Sequence, residues 1–131
     1  MITDPIANVV AQINNAVRAR KKSLSFFSSK VIESICRIME EEGYIQGYVL
    51  KTSPNGIGKI TLFLKYKDGV SPIRGMKRVS KPGYRVYCKA KNLPIVMNGM
   101  GTAIISTNQN VMCEKESRKL NLGGEVLLYI W

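Results

Sequence analysis

The chain has 131 residues, of which 20 are Lys or Arg and 9 are Asp or Glu, giving a formal net charge of +11. A chain of this length buries only a modest core, which argues against a large multi-step enzyme, and its excess of positive charge predicts a polyanionic partner such as nucleic acid. There is no histidine, and the three cysteines, Cys36, Cys88 and Cys113, are widely spaced, so we expect neither histidine-based catalysis nor a metal or other cofactor.

Two amphipathic helices are predicted in the first half of the chain. The first begins with Asp4 as its cap and Pro5 at its first helical position, and apolar residues then recur at helical spacing. Ser28 and Ser29 can cap the second helix, and Gly43 ends it. A basic run lies where the first helix ends: Arg18, Arg20, Lys21 and Lys22. The sequence supports two interpretations equally, that these cations complement the helix dipole or that they contact RNA.

Three strands accompany these helices. A short strand at Ser23–Phe27 lies between the helices, and residues 44–51 and 59–66 form a hairpin around the turn-rich segment 52–58. The order helix, strand, helix, strand, strand is typical of a small unit in which helices cover one face of a sheet. We therefore predict an α+β domain over residues 1–66.

The second half of the chain, residues 67–131, is predicted to be a mainly-β domain with short strands and short helices. Frequent glycines and prolines in this half are typical of short strands joined by turns. A helical turn begins at Pro94 and ends at Gly99, and a short helix covers residues 114–120. The predicted strands are residues 73–80, 84–88, 102–105, 111–113 and 125–131, the fourth pairing back onto the third. The two halves together predict an α+β fold of two small domains.

Positive charge is concentrated in the second half. Seven cations follow one another with no acidic residue between them: Arg74, Lys77, Arg78, Lys81, Arg85, Lys89 and Lys91. Tyr84 and Tyr87 lie within this basic segment. Lysine and arginine neutralise phosphates, and tyrosine can stack on a base, so the segment predicts an RNA surface. For either tyrosine, packing in the protein core is an equally good interpretation.

Two polar segments have both a structural and a functional interpretation. Residues 106–110 carry only small hydrogen-bonding side chains, and their composition favours an ordinary turn over an RNA-reading loop by about two to one. Glu125 follows the pair Gly123 and Gly124 and has no partner for acid catalysis. Its carboxylate either accepts hydrogen bonds from a cytosine amino group or a ribose hydroxyl, or pairs with a lysine at a strand edge.

Several ordered segments closely resemble the family of the bacterial-type small-subunit ribosomal protein number eight. In the second half these are residues 80–87, 93–101, 105–107 and 122–125, and in the first half residues 4–7, 28–30 and 41–45. The resemblance implies a two-domain α+β protein that binds the central domain of small-subunit ribosomal RNA early in assembly and catalyses no reaction. It also implies neighbouring small-subunit ribosomal proteins as partners, together with the protein's own messenger RNA in many bacterial members.

The resemblance carries RNA-binding roles onto particular positions. In the second half they are Ser106, Thr107, Asn108, Tyr87 and Glu125, to which the basic segment adds Arg78, Lys81 and Arg85. In the first half they are Ser28, Ser29 and Lys30. We expect no membrane partner and no obligate homo-oligomer, and we expect the protein in the ribosome of a bacterium or an organelle. The alternatives are a dedicated messenger-RNA repressor and, with less support, an RNA-processing enzyme.

The chain departs from the family pattern in the polar loop. The family usually shows Ser-Thr-Ser followed by Lys-Gly, whereas this chain has Asn108 in third place, followed by Gln109 and Asn110. The loop therefore has one cation and one glycine fewer than the family pattern. Cys113 also replaces the usual helix-capping threonine, which predicts a weaker start to the last helix.

Overall fold

A computed structural model describes residues 4–131, and the chain divides into two compact units. One unit is Ala11–Ile73, and the other joins the described residues up to Val10 with Arg74–Trp131. The first helix therefore begins in one unit and ends in the other. The boundary predicted between residues 66 and 67 stays a prediction, because compactness does not measure independent folding.

The unit Ala11–Ile73 has the predicted order of elements. Its helices are α1 (Pro5–Arg18), which begins in the other unit, and α2 (Lys30–Glu41), and its strands are β1 (Ser23–Phe27), β2 (Gly47–Thr52) and β3 (Gly58–Phe63). Both predicted helix starts are confirmed. Asp4 Oδ1 accepts a hydrogen bond from the Ala7 amide at 3.2 Å, and Ser29 Oγ accepts one from the Ile32 amide at 3.2 Å.

The three strands form an antiparallel sheet in the order β1, β3, β2. Phe26, Ile60 and Leu62 lie on one face of it and are buried. The hairpin is shorter than predicted at its open end and one residue pair longer at its loop, where Thr52 pairs with Gly58. Tyr44 is buried in the turn that ends α2, where its amide donates to the Met39 carbonyl, so β2 begins at Gly47 instead of residue 44. The pairing of β3 ends at Phe63 instead of residue 66.

The second unit contains a five-stranded antiparallel sheet. Its strands are β4 (Met76–Arg78), β5 (Tyr87–Cys88), β6 (Thr102–Thr107), β7 (Val111–Cys113) and β8 (Gly124–Ile130), and α3 (Glu114–Lys119) connects the last two. Strand β8 is central, with β4 and β5 along one side and β6 along the other, and β7 pairs with β6 as predicted. Buried apolar side chains pack on one face: Leu93, Val96, Ala103, Ile105 and Val126.

Three predictions for this unit are wrong in detail. Strands β4 and β5 are shorter than the predicted 73–80 and 84–88, because the chain pairs with β8 as a regular strand only over short stretches. The helical turn predicted from Pro94 begins only at Met97, as a 3₁₀ turn that ends at Gly99 as predicted, and a second 3₁₀ turn, Ala90–Asn92, precedes Pro94. Strand β6 continues to Thr107, two residues beyond its predicted end. No helix among residues 4–131 is long and apolar enough to cross a membrane.

Candidate nucleic-acid interface

Three predicted RNA-binding residues lie in one row across the sheet of the second unit. Tyr87 on β5 pairs with Glu125 on β8, and Glu125 pairs with Ser106 on β6. Directly opposed residues of antiparallel strands point to the same face of a sheet, so the three side chains share one face. The fold thus places next to each other residues that come from three distant parts of the chain.

The two glycines before Glu125 are required by close packing of the strands. A Cβ atom on Gly124 would lie 2.2 Å from the Ser106 carbonyl oxygen, and one on Gly123 would lie 2.4 Å from the Cys88 carbonyl oxygen. Only a residue without a side chain can pass between β5 and β6 at these separations. The glycine pair therefore allows β5, β8 and β6 to approach closely enough to form the row.

A buried serine and an exposed arginine hold the Glu125 carboxylate. The Ser80 hydroxyl donates a short hydrogen bond to Glu125 Oε2 and accepts one from the Val86 amide at 3.2 Å. Arg85 Nη1 donates to the same Oε2 at 3.0 Å. The carboxylate is thus paired with an arginine, whereas the structural alternative from the sequence named a lysine. The Glu125 side chain remains 19% exposed.

Ser80 is the residue of this site that the sequence did not identify. It is fully buried, and its hydrogen bond with Glu125 spans 45 positions of the chain. Ser80 falls inside one of the segments that resemble the family, which is the only signal that the sequence offered. Nothing in the local pattern around a serine reveals a partner so distant along the chain.

The polar segment after β6 forms a tight turn that the Thr107 side chain stabilises. Thr107 Oγ1 donates to the Asn110 carbonyl at 2.7 Å and accepts from the amides of Gln109 and Asn110, both at 3.2 Å. These hydrogen bonds use the whole capacity of the hydroxyl. Thr107 therefore shapes the turn, while Asn108 is exposed at its tip and Ser106 stays half-buried in the row.

The exposed part of the basic segment contains Lys81, Tyr84, Arg85 and Tyr87. Lys81 and Tyr84 close a tight hairpin turn. Tyr84 is 74% exposed and Tyr87 is 70% exposed, so the interpretation of these tyrosines as core residues is wrong. Cations and aromatic rings are therefore both available to a ligand on this side of the sheet.

Arg78 does not belong to this exposed surface. Its side chain is 7% exposed, its Nε atom is 3.2 Å from Asp4 Oδ2, and its Nη1 atom donates to the Leu127 carbonyl at 2.8 Å. Strand β4 alternates, so that Lys77 is exposed and Arg78 is buried. A phosphate contact by Arg78 would first have to break this ion pair, so its RNA-binding role stays a prediction that its burial weighs against.

The predicted contact residues of the first half lie at the start of α2, in the unit Ala11–Ile73. The Ser28 amide donates to the Gly58 carbonyl at 2.9 Å, and Ser29 supplies the helix cap. Lys30 is exposed in the first turn of the helix. Within residues 4–131, no group of three or more His, Cys, Asp or Glu side chains could hold a metal ion.

The fold and this surface define a small basic α+β protein that presents tyrosines, cations and hydroxyl groups on one sheet. The chain belongs to the ribosomal protein S8 family, because the model of that family matches residues 4–131. This match confirms the resemblance drawn from the sequence and makes the chain a ribosomal protein.

Bacterial relatives resemble the chain over its full length. It is 47% identical to the small ribosomal subunit protein uS8 of Amoebophilus asiaticus over 133 residues, which cover all of both chains. It is 44% identical to the protein of the same name from Ureaplasma parvum over 132 residues, again covering both chains completely. The identity to the uS8 protein of Mycoplasmopsis pulmonis is 48% over 133 residues, covering 100% of this chain and 98% of the relative.

Proposed function

We propose that this chain is a non-catalytic component of the small ribosomal subunit that binds the central domain of its ribosomal RNA and assists assembly. The observation that carries this proposal is the row of Tyr87, Glu125 and Ser106 on one sheet face. The names of the relatives supply the ribosomal context. The neighbouring small-subunit proteins are its expected protein partners.

In this proposal the groups of the interface divide the work of recognition. Lys81 neutralises phosphates, and Tyr87 stacks on a base or a ribose. The Ser106 hydroxyl and the Asn108 amide read ribose hydroxyls and base edges. Irregular RNA stems offer such unstacked bases, whereas a regular A-form helix hides its base edges in a narrow major groove.

Glu125 has a particular role in this proposal. A carboxylate repels phosphate unless its position is fixed by hydrogen bonds and its negative charge is offset by a neighbouring cation. Ser80 and Arg85 both contact its Oε2 atom. The other oxygen, Oε1, can then accept a hydrogen bond from a cytosine amino group or a ribose hydroxyl. The arginine also offsets the negative charge, so an ordered carboxylate is compatible with a polyanionic ligand.

The amino-terminal residues Ser28, Ser29 and Lys30 supply a second, smaller contact in the proposal. Lys30 is exposed in the first turn of α2, where the backbone amides and the helix dipole also favour an anion. Ser29 contributes mainly by fixing that turn.

Ser106→Ala and Glu125→Ala test the proposal, using an irregular stem from the central domain and a scrambled stem at one fixed salt concentration. We expect Ser106→Ala to weaken binding to the cognate stem by about 1 to 3 kcal/mol and to leave the scrambled stem unaffected. Glu125→Ala should weaken cognate binding but strengthen non-specific binding, because it raises the net charge. Ser34→Ala is the matched control, because the Ser34 hydroxyl donates to the Lys30 carbonyl of its own helix. Parallel changes on the two RNAs would contradict the proposal.

Sedimentation tests the ribosomal part of the proposal separately. The protein should migrate with small subunits in a high-salt gradient. A dedicated messenger-RNA repressor would use the same surface but appear mainly in the free fraction.

A further inference from the structure

The sheet of the unit Ala11–Ile73 leaves one face exposed, which we call the open sheet face. Its side chains form three rows across β1, β3 and β2: Ser23, Phe63 and Gly47, then Ser25, Thr61 and Val49, then Phe27, Lys59 and Lys51. The opposite face holds the fully buried Ile60 and Leu62. The open sheet face is therefore the side of the sheet that is left for a partner.

Three apolar side chains of this face are exposed to solvent. Phe27 is 72% exposed, Val49 is 45% exposed and Phe63 is 40% exposed. Exposed aromatic rings on a surface that also carries cations are typical of sites that bind single-stranded nucleic acid. None of the nine positions in the three rows is acidic.

Two lysines stand directly opposite each other on the same face. Lys51 of β2 and Lys59 of β3 are paired in register, and Phe27 of β1 lies in the same row. Like charges at directly opposed positions destabilise a sheet. A phosphate placed between the two ammonium groups would offset this repulsion. Lysine is also depleted from protein interfaces, so the pair favours a polyanion over a protein partner.

The two aromatic rings indicate single-stranded nucleic acid. From strand geometry, the Cα atoms of Phe27 and Phe63 are about 14 Å apart, which is too far for one base to reach both rings. Bases that stack on aromatic side chains must be unpaired, and every base offers a face for such stacking. The hydroxyls of Ser25 and Thr61, bonded to each other at 3.0 Å, lie in the row between the rings.

One carboxylate approaches a corner of the face. The Glu40 side chain lies 4.0 Å from where a Cβ atom on Gly47 would be, at the end of the row that contains Phe63. A phosphate is disfavoured at that corner and favoured at the lysine row. These charges would give a nucleic-acid chain on this face a preferred path.

We propose that the open sheet face is a second RNA-binding surface, which stacks unpaired bases on Phe27 and Phe63 and holds phosphate between Lys51 and Lys59. Its ligand class is single-stranded RNA, whereas the interface of the second unit is proposed to read a structured stem. The inference therefore goes beyond the proposed function and does not depend on it.

Binding of full-length protein to labelled octauridylate and octaadenylate tests this inference by fluorescence anisotropy at fixed salt. Phe27→Ala and Phe63→Thr should each lower the affinity about 10-fold, since each removes the ring on which one base stacks. Lys51→Gln combined with Lys59→Gln should lower it further and reduce its salt dependence. Ile57→Ala, which removes an exposed apolar side chain from the hairpin loop, should leave the affinity unchanged.

Binding of the central-domain stem by the same variants separates the two proposals. It should keep its specificity in the phenylalanine variants, while Ser106→Ala should leave oligonucleotide binding unchanged. Thermal unfolding shows whether each variant is folded. If Phe63→Thr is not folded, the lysine variants still test binding of oligonucleotides to this face. Unchanged oligonucleotide affinity in both the phenylalanine and lysine variants would overturn the inference. If these variants lose only their association with small subunits, the face binds protein instead.

Discussion

At the residue scale, the candidate interface depends on Gly124 because strands β8 and β6 lie so close together there. We expect Gly124→Ala to destabilise the protein by about 1 to 3 kcal/mol or more, since its Cβ would lie 2.2 Å from the Ser106 carbonyl oxygen and force the strands apart. Urea unfolding measures this effect, and the same variant should lose stem specificity because Glu125 moves away from Ser106.

Gly83→Ala is the matched control for this substitution. A Cβ atom at Gly83 would meet nothing within 4 Å. Its free energy of unfolding should therefore stay within about 0.5 kcal/mol of the wild type or rise, because alanine restricts the unfolded chain. Equal destabilisation by the two substitutions would show that the close strand approach is not the cause.

Because the Cys36 thiol is buried, we expect the free energy of unfolding to depend on pH in the alkaline range. Burial, with a smaller contribution from the Glu33 carboxylate, raises the pKa of Cys36 from 9.0 to about 12. Between these two pKa values the thiol loses its proton in the unfolded state and keeps it in the folded state. The contribution of Cys36 to stability is therefore fully present below pH 9, and the free energy of unfolding falls as the pH rises above it. The slope contributed by this one group reaches about 1.4 kcal/mol per pH unit.

Urea unfolding from pH 7 to pH 10.5 measures this dependence. Cys36→Ala should lower stability at pH 7, because it leaves a small cavity, but its stability should decline less steeply above pH 9. Other groups titrate in the same range and contribute equally to both proteins. Parallel curves for wild type and variant would contradict the assignment to Cys36.

At the element scale, the sequence predicted the two long helices well and the short strands less well. Helical spacing of apolar residues and side-chain caps are local signals, and both caps, at Asp4 and Ser29, form as expected. Strand ends depend on partners distant along the chain. Residues near Tyr44 have strand-like composition, but the turn that follows α2 buries them, and β4 pairs with β8 over only three residues.

The cap of α2 permits a direct test of this local signal. Ser29→Ala removes the acceptor of the Ile32 amide and should cost about 1 kcal/mol of stability. Ser28→Ala is the matched control, because the Ser28 hydroxyl only approaches the Ser29 carbonyl at 3.4 Å. Chemical unfolding of both variants measures the difference. If both serines contact RNA as proposed, both variants also bind the stem less tightly, although only one is destabilised.

At the scale of the whole molecule, the excess of positive charge predicted the class of ligand but not which cations are accessible. From Arg74 to Lys91 the sequence contains seven cations with no acidic residue between them. Strand alternation buries one of them, Arg78, against Asp4, and Arg85 is partly compensated by Glu125. A linear run of charge contains no information about these pairings. Tyr87, Glu125 and Ser106 were each candidates in the sequence, and the family resemblance assigned all three to RNA. The row that they form follows from sheet register, which no local pattern contains.

Salt dependence of RNA binding separates accessible cations from buried ones. Replacing Lys81 and Arg85 by glutamine should reduce the slope of log affinity against log salt by about 0.7 to 0.9 for each phosphate that the protein no longer neutralises. Arg78→Gln should leave that slope unchanged, because its guanidinium is buried as well as paired with Asp4, whereas Arg85 is paired but 47% exposed. It should instead destabilise the protein by about 3 kcal/mol, the lower end of the range for a broken buried pair, since Asp4 is 18% exposed and keeps part of its hydration. Titrations at four salt concentrations, with unfolding curves for each variant, measure both quantities. A reduced slope in Arg78→Gln at unchanged stability would place Arg78 on the RNA surface after all.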